Sequence, residues 1–360
     1  GFAAPIVSGD RVFYGDMQKG TETFHALRLA DGETLWSEAL DAPHRDGFGT
    51  GPRCAPSGDG GLVLLQSCKG ELHCRRAEDG ELIWKKNYLS DFDAPYIGEK
   101  GKAQGASRHG YAASPIFDGD HVITVAGGPG AAVVCLDKTD GAVIWQSQND
   151  LAAYSPPRVA TLAGVEQVVC FTVGGLIGLD RKDGRLLWRE PMETDYGRHI
   201  VAPVIHDDLV IVGSHQVGYI ATRVEQRDGK IVAAPAWKLG EEMGPNFASS
   251  VRIGEQLYML AGNRVVCLEV ATGEQRWAQE GNVHTTPARA FAAFIGMGER
   301  VLMLNDMGEL ILFEADPAAY REISRAQVCG KNWCHPAYAD GKLLVRDAKK
   351  LLCIDLFASG

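Results

Sequence analysis

The chain has no apolar run approaching the roughly 18 residues of a membrane-spanning helix. It has no surplus of positive charge: 36 Lys and Arg stand against 46 Asp and Glu, a formal net charge of −10. That balance argues against general nucleic-acid binding through phosphate neutralisation. It has no Gly-Lys-Ser/Thr phosphate loop. The strings Gly47-Phe48-Gly49-Thr50-Gly51 and Gly127-Gly128-Pro129-Gly130 precede no helical pattern, so both read as turns. No metalloprotease motif and no Ser-His-Asp set stands out. The nine cysteines are odd in number, so at least one is unpaired within the chain. The chain opens Gly-Phe-Ala-Ala-Pro, without Met and already inside a repeat. The expectation is that a signal region lies upstream.

What is present is repetition, which decides architecture before anything else. Ala26–Trp36 reads Ala-Leu-Arg-Leu-Ala-Asp-Gly-Glu-Thr-Leu-Trp. Cys74–Trp84, Cys135–Trp145, Gly178–Trp188 and Cys267–Trp277 keep its small first residue, its Gly at the seventh place and its closing Trp. Ala221–Trp237 is a copy with an insertion, and the copy at Phe313–Ile323 has Asp316-Pro317 for its turn and no Trp. Before each copy stands a Pro or its stand-in, then a run rich in Val, Ile and Leu. Pro5, Pro56, Pro115, Pro157, Pro203, Ser250, Pro287 and Pro336 mark eight units spaced about 47 residues apart.

Each unit reads as four short strands, A to D. Strand A follows the Pro, strand C carries the small residue, and a Gly turn leads into strand D, which ends at Trp. Asp-Gly between β-prone runs is a strong hairpin signal, and a four-stranded antiparallel unit at this period is a propeller blade. The fold class is therefore all-β: one eight-bladed β-propeller domain. Its blades lie at roughly residues 1–40, 51–88, 108–147, 153–190, 199–239, 246–279, 283–325 and 331–360. The last blade lacks its outer strand within this chain, so the expectation is that the ring either lacks its closing strand here or closes imperfectly. The six motif tryptophans read as packing against the neighbouring blade. Cys74, Cys135, Cys267 and Cys353 fill the small position as buried thiols.

The repeat, most complete in Cys135–Trp145 and Gly178–Trp188, resembles the tryptophan-docking repeat of the quinoprotein alcohol dehydrogenase-like superfamily. Eight such repeats look like its PQQ-like propellers. That superfamily holds PQQ-dependent dehydrogenases and also non-enzymatic members such as the BamB outer-membrane assembly lipoprotein. The dehydrogenases stack their quinone on a disulfide between adjacent cysteines and bind Ca²⁺ through carboxylate and amide oxygens. This chain has no Cys-Cys pair and no Cys-x-x-Cys-His haem site. Resemblance to the BamB-like branch implies an exported, periplasmic or secreted binding scaffold without a cofactor. PQQ with calcium belongs to the alternative, an exported oxidoreductase with its cofactor in the central funnel.

Candidate binding residues come from the D-to-A loops, which a propeller gathers on one face. Long loops on a rigid scaffold are where function concentrates; the longest here, residues 86–110, is the first place to seek chemistry. Arg53, Arg108 and Arg198 offer bidentate forks for a carboxylate or phosphate, and His109 and His199 stand beside two of them. Tyr111, Tyr154, His284 and Trp333, with Phe2 and Phe247, occupy the starts of strand A and could hold an apolar or planar body. The implied partner is a protein or peptide, or a small anionic ligand, held by a monomer. The same loops carry Asp46, Asp91, Asp93, Glu99, Asp195, Glu241 and Glu242, which is also what an ordinary solvated loop looks like. Cys329-Gly-Lys-Asn-Trp-Cys334-His335 could be a disulfide loop, a metal site or an attenuated haem motif. Alignment of Cys334 with Cys54 favours a small strand residue.

Overall fold

The structure, a computed structural model, describes residues 2–41 and 44–356. Seven four-stranded sheets and a final three-stranded one follow one another along the chain, each strand pairing antiparallel with the next. This is the expected eight-bladed propeller. The first strands of neighbouring blades touch, for example Ile6–Ser8 with Ser57–Gly58, Ser57–Gly58 with Ile116–Asp118, and Val251–Ile253 with Ala292–Met297. Strand A is therefore the inner strand and D the outer. The α-helices among the described residues are the short Tyr88–Phe92 and Gly105–His109, and no helix is long and apolar enough to cross a membrane.

The repeat motif explains how the blades are tied together. Its first and last residues face each other across strands C and D: Ala26 with Trp36, Cys74 with Trp84, Cys135 with Trp145, Ala221 with Trp237, and Cys267 with Trp277. A small residue there leaves the indole free to lean out of its blade. The ring then lies on the turn glycine of the next blade, Trp36 on Gly80, Trp84 on Gly141, Trp145 on Gly184 and Trp237 on Gly273. Each indole N–H donates to a carbonyl of that blade, of Ala77, Lys138, Arg181 and Val270 respectively. So the seventh-place glycine serves twice, once for its turn and once as the floor for a neighbour's tryptophan. A methyl added at Gly184, where φ is +72°, would lie 2.4 Å from the Trp145 ring. Gly184→Ala is expected to cost about 1–3 kcal/mol through overpacking at a left-handed position, read as a lowered urea midpoint.

Trp188 departs from the pattern. Its indole N–H donates to Gln167 Oε1 of its own blade, at 2.6 Å. A Cβ at its cross-strand partner Gly178 would sit 2.1 Å from that nitrogen, so only glycine allows the inward fold. The next blade supplies no docking turn here. Its insertion lengthens strands C and D into the hairpin Gly218–Arg227 and Lys230–Lys238, and the latter packs on the outer strand Leu186–Pro191 of the preceding blade.

Two further details differ from the sequence reading: Cys353, at the small position of the last blade, is exposed rather than buried, and the seventh blade's strand A starts late. Pro287 does not lead straight into strand A; it begins a 3-10 turn, Pro287–Arg289, and the strand starts at Ala292. Cys329 and Cys334 form no disulfide loop, and Cys334 is buried just ahead of the last blade's strand A, in keeping with the small packing residue the sequence favours. Between the last blade and the first, buried Arg346 donates to the carbonyls of Ala3 and Gly15, at 3.1 Å for Ala3. Phe2 meets Trp333 at the same seam, with ring centroids 6.0 Å apart.

Candidate functional site

The strand A starts and the D-to-A loops enclose a cavity of about 590 Å³ on the ring axis. Arg53, His109, Tyr154, Arg198 and Trp333 line it, as do Phe2 and Phe247. Over its mouth the aromatic rings join across the ring. Trp333 stacks on Phe247 at 5.1 Å, Phe247 meets Phe48 at 5.9 Å, Phe48 meets His109 at 5.6 Å, and His109 meets Tyr154 at 6.3 Å. These residues come from five different inter-blade connections. Phe48 sits at the tip of a small hairpin, Arg45–Asp46 with Gly49–Thr50, that leans over the channel from between the first two blades.

Asp46 fixes the base of that hairpin. Its side chain is fully buried and accepts from Arg53 Nη2 at 2.6 Å, His44 Nε2 at 3.0 Å and His109 Nδ1 at 2.9 Å. The amides of Phe48 and Gly49 donate to the same carboxylate, at 2.8 and 3.2 Å. An ionised carboxylate only accepts, so His44 carries a proton on Nε2 and His109 on Nδ1. His44 Nδ1 then faces the hydroxyl of Tyr96 at 2.5 Å. Burial alone would raise the Asp46 pKa; the hydrogen bonds from His109, His44 and Arg53 outweigh it and hold the group far below the usual carboxylate range. His44, Asp46 and His109 bring metal-ligand atoms within 4.8 Å of one another. The Arg53 guanidinium already supplies the cation at that carboxylate, so the cluster reads as an ion-pair hub.

The family model described as outer membrane protein assembly factor BamB matches residues 20–279. The chain belongs to that family. It is 28% identical over 233 residues to outer membrane protein assembly factor BamB of Xanthomonas campestris pv. campestris, a match covering 62% of this chain and 48% of that protein. The match thus spans about half the length of the curated relative. Among solved structures, BamB from Moraxella catarrhalis superposes with a TM-score of 0.63 at 14% identity, over 98% of this chain and 92% of that one. A quinohemoprotein alcohol dehydrogenase from Pseudomonas putida superposes at 0.50 and 15% identity, over 84% and 61%. At these identities the superpositions speak for the fold alone.

Four predicted residues of this BamB-family chain lie off the channel. Tyr111 is buried beneath the loop, edge-on to Tyr88 at 5.0 Å, its hydroxyl donating to the Pro95 carbonyl. His199 is buried flat against Phe171 at 4.1 Å and donates from Nδ1 to the Thr172 carbonyl. Burial pushes its pKa down to about 4, so it is neutral at pH 7. His284 turns to the carboxylate of Glu309 at 2.9 Å. Arg108 lies over the Tyr196 ring, 4.4 Å from its centroid, and does not reach the cavity. The loop 86–110 is thus chiefly core and cap, with Tyr88 and Phe92 buried, and it sends one side chain, His109, to the channel.

The sequence reading also missed residues that do reach it. Phe48 lay in a glycine string taken for a plain turn. Asp46 counted as loop charge. Arg158 had a usable signal: among the first residues of the eight inner strands it alone is charged, beside Ile6, Ser57, Ile116, Val204, Val251, Ala292 and Ala337. His335 stands edge-on to Phe291 at 5.7 Å, and burial pushes its pKa down to about 4. Among the described residues, the lining contains no Asp, Glu, Asn or Gln. A calcium ion would find neither carboxylate nor side-chain amide oxygen there, and no adjacent cysteine pair exists to carry a quinone. The donor set does not fit the PQQ–calcium pair of the dehydrogenases.

Proposed function

We propose that this protein is an exported, non-enzymatic binding propeller that serves outer-membrane protein assembly from the periplasm. It works as a monomer without a cofactor and grips a partner polypeptide through the face carrying the D-to-A loops. The observation that carries this reading is the family match over residues 20–279 to a factor named for that assembly. The site supports it. The channel mouth is bridged by packed rings, the neutral histidine His335 is paired with no nucleophile among the described residues, and the buried ion pair holds a hairpin. A rigid, aromatic-rich rim suits recognition of a protein surface, where aromatic residues carry much of the binding energy.

A photo-crosslinking amino acid at Phe48, on the D-to-A face, is expected to capture the outer-membrane assembly machinery in cells. The same group at Asp183, in a C-to-D turn on the opposite face, should not. Equal capture from both faces would sink the assignment of the face, and capture of none of that machinery would sink the function. A second measurement addresses the oxidoreductase reading, which the superfamily fold keeps in view. In calorimetric titration with PQQ, added Ca²⁺ is expected to leave affinity unchanged. Ca²⁺-dependent tight uptake would favour the enzyme instead.

A further inference from the structure

Charge in the channel is unbalanced. Arg53 is neutralised by Asp46, 2.6 Å away. Arg198 donates only to the neutral amide of Asn246, at 3.5 Å. Arg158, on the inner strand of the fourth blade, meets no acceptor among the described residues, and enclosure by the ring lowers its pKa. Two guanidinium groups thus face a space whose lining holds no carboxylate. Arg158 is exposed to that space, and packing gives no reason for a charge there, since the equivalent positions of the other blades are all uncharged. Around the two cations stand Phe2, Phe247, Phe291 and Trp333. A cavity of this size, apolar with a few convergent polar groups, is of the kind that holds a small molecule.

We propose that the channel is a binding site for a small organic anion with a planar aromatic body. Arg158 and Arg198 hold its acidic group and the rings of the mouth hold its body. A carboxylate would supply the missing counter-charge through fork-shaped, charge-assisted hydrogen bonds, and exclusion of water by the aromatic arch would strengthen them. This goes beyond partner binding at the rim and does not depend on it.

The test uses the full chain and naphthalene-2,6-dicarboxylate, with its dimethyl ester and inorganic phosphate as comparison probes, followed by calorimetry. The dicarboxylate is expected to bind and the ester not. Phosphate, which has the charge but no body, should bind more weakly. Arg158→Gln and Arg198→Gln should each weaken the dicarboxylate by about tenfold or more, the loss of one charge-assisted pair. Arg227→Gln, in the exposed hairpin of the fifth blade, should change nothing. Because Arg158 leaves no partner behind, Arg158→Met should keep or raise the melting temperature of the ligand-free protein while weakening binding at least as much as Arg158→Gln. Absence of dicarboxylate binding, ester binding as tight as the acid's, or binding indifferent to both arginines would overturn the proposal. Crosslinking from Phe48 that persists in Arg158→Gln would show that rim and channel functions stand or fall separately.

Discussion

Replacing Trp145 by alanine is expected to destabilise the protein by about 3–5 kcal/mol, the range for truncating a buried aromatic. Trp145 is 7% exposed, leans on the turn of the next blade and donates to the Arg181 carbonyl at 3.2 Å. Alanine would empty the space between two blades and leave that carbonyl without its donor. Equilibrium urea denaturation would measure the loss, and an unchanged midpoint would refute the docking role. The pairing with Gly184 gives a sharper form. Since the added methyl of Gly184→Ala collides with the indole, the double variant should lose less than the two single losses combined. Strict additivity would mean that ring and glycine do not interact, contrary to what sites in direct contact show.

The second large effect concerns Asp46. Asp46→Ala leaves Arg53 and two histidines facing each other around a void, and removing one partner of a buried pair costs about 3–5 kcal/mol. The same change frees the hairpin bearing Phe48, so limited proteolysis should begin between residues 44 and 51. The wild type should show the matching pH dependence. The folded Asp46 pKa is depressed, so its stabilisation is complete above the unfolded value of about 3.9 and is lost as pH falls below it toward the folded value. Acid titration should therefore show a stability decrement below about pH 4 that Asp46→Ala lacks. If the variant and wild type lose stability in parallel with acid, the ion-pair hub is not what holds the hairpin.

The propeller was legible because its repeat is written in local chemistry: a turn needs glycine, a bulky ring needs a small residue opposite, and both recur at fixed spacing. The same rules placed five of nine candidate residues on the channel, since strand A starts had to gather on one face. They failed where a side chain's direction depends on contacts far away in sequence. Tyr111 and His199 occupy the right loops but find buried partners in Tyr88 and Phe171. Asp46 looked like evidence against a site because its three side-chain donors come from residues 44, 53 and 109. Phe48 could be recognised only once its hairpin was seen to meet Phe247 from the far side of the ring.

The inward fold of Trp188 has a mechanical consequence. Docked tryptophans lace the first four blades into one arc, and Trp237 and Trp277, the latter through the Asp316 carbonyl, lace the fifth to seventh into another. Among the described residues, no motif tryptophan docks across the joint between the fourth and fifth blades or across those on either side of the eighth. The ring is then two arcs laced by indoles, joined instead by Lys230–Lys238 packed on Leu186–Pro191 and, at the eighth blade, by Arg346 and the Phe2–Trp333 contact. Phe48 and Phe247 meet across the mouth from these two arcs, so the width of the opening is set by how the arcs stand to each other.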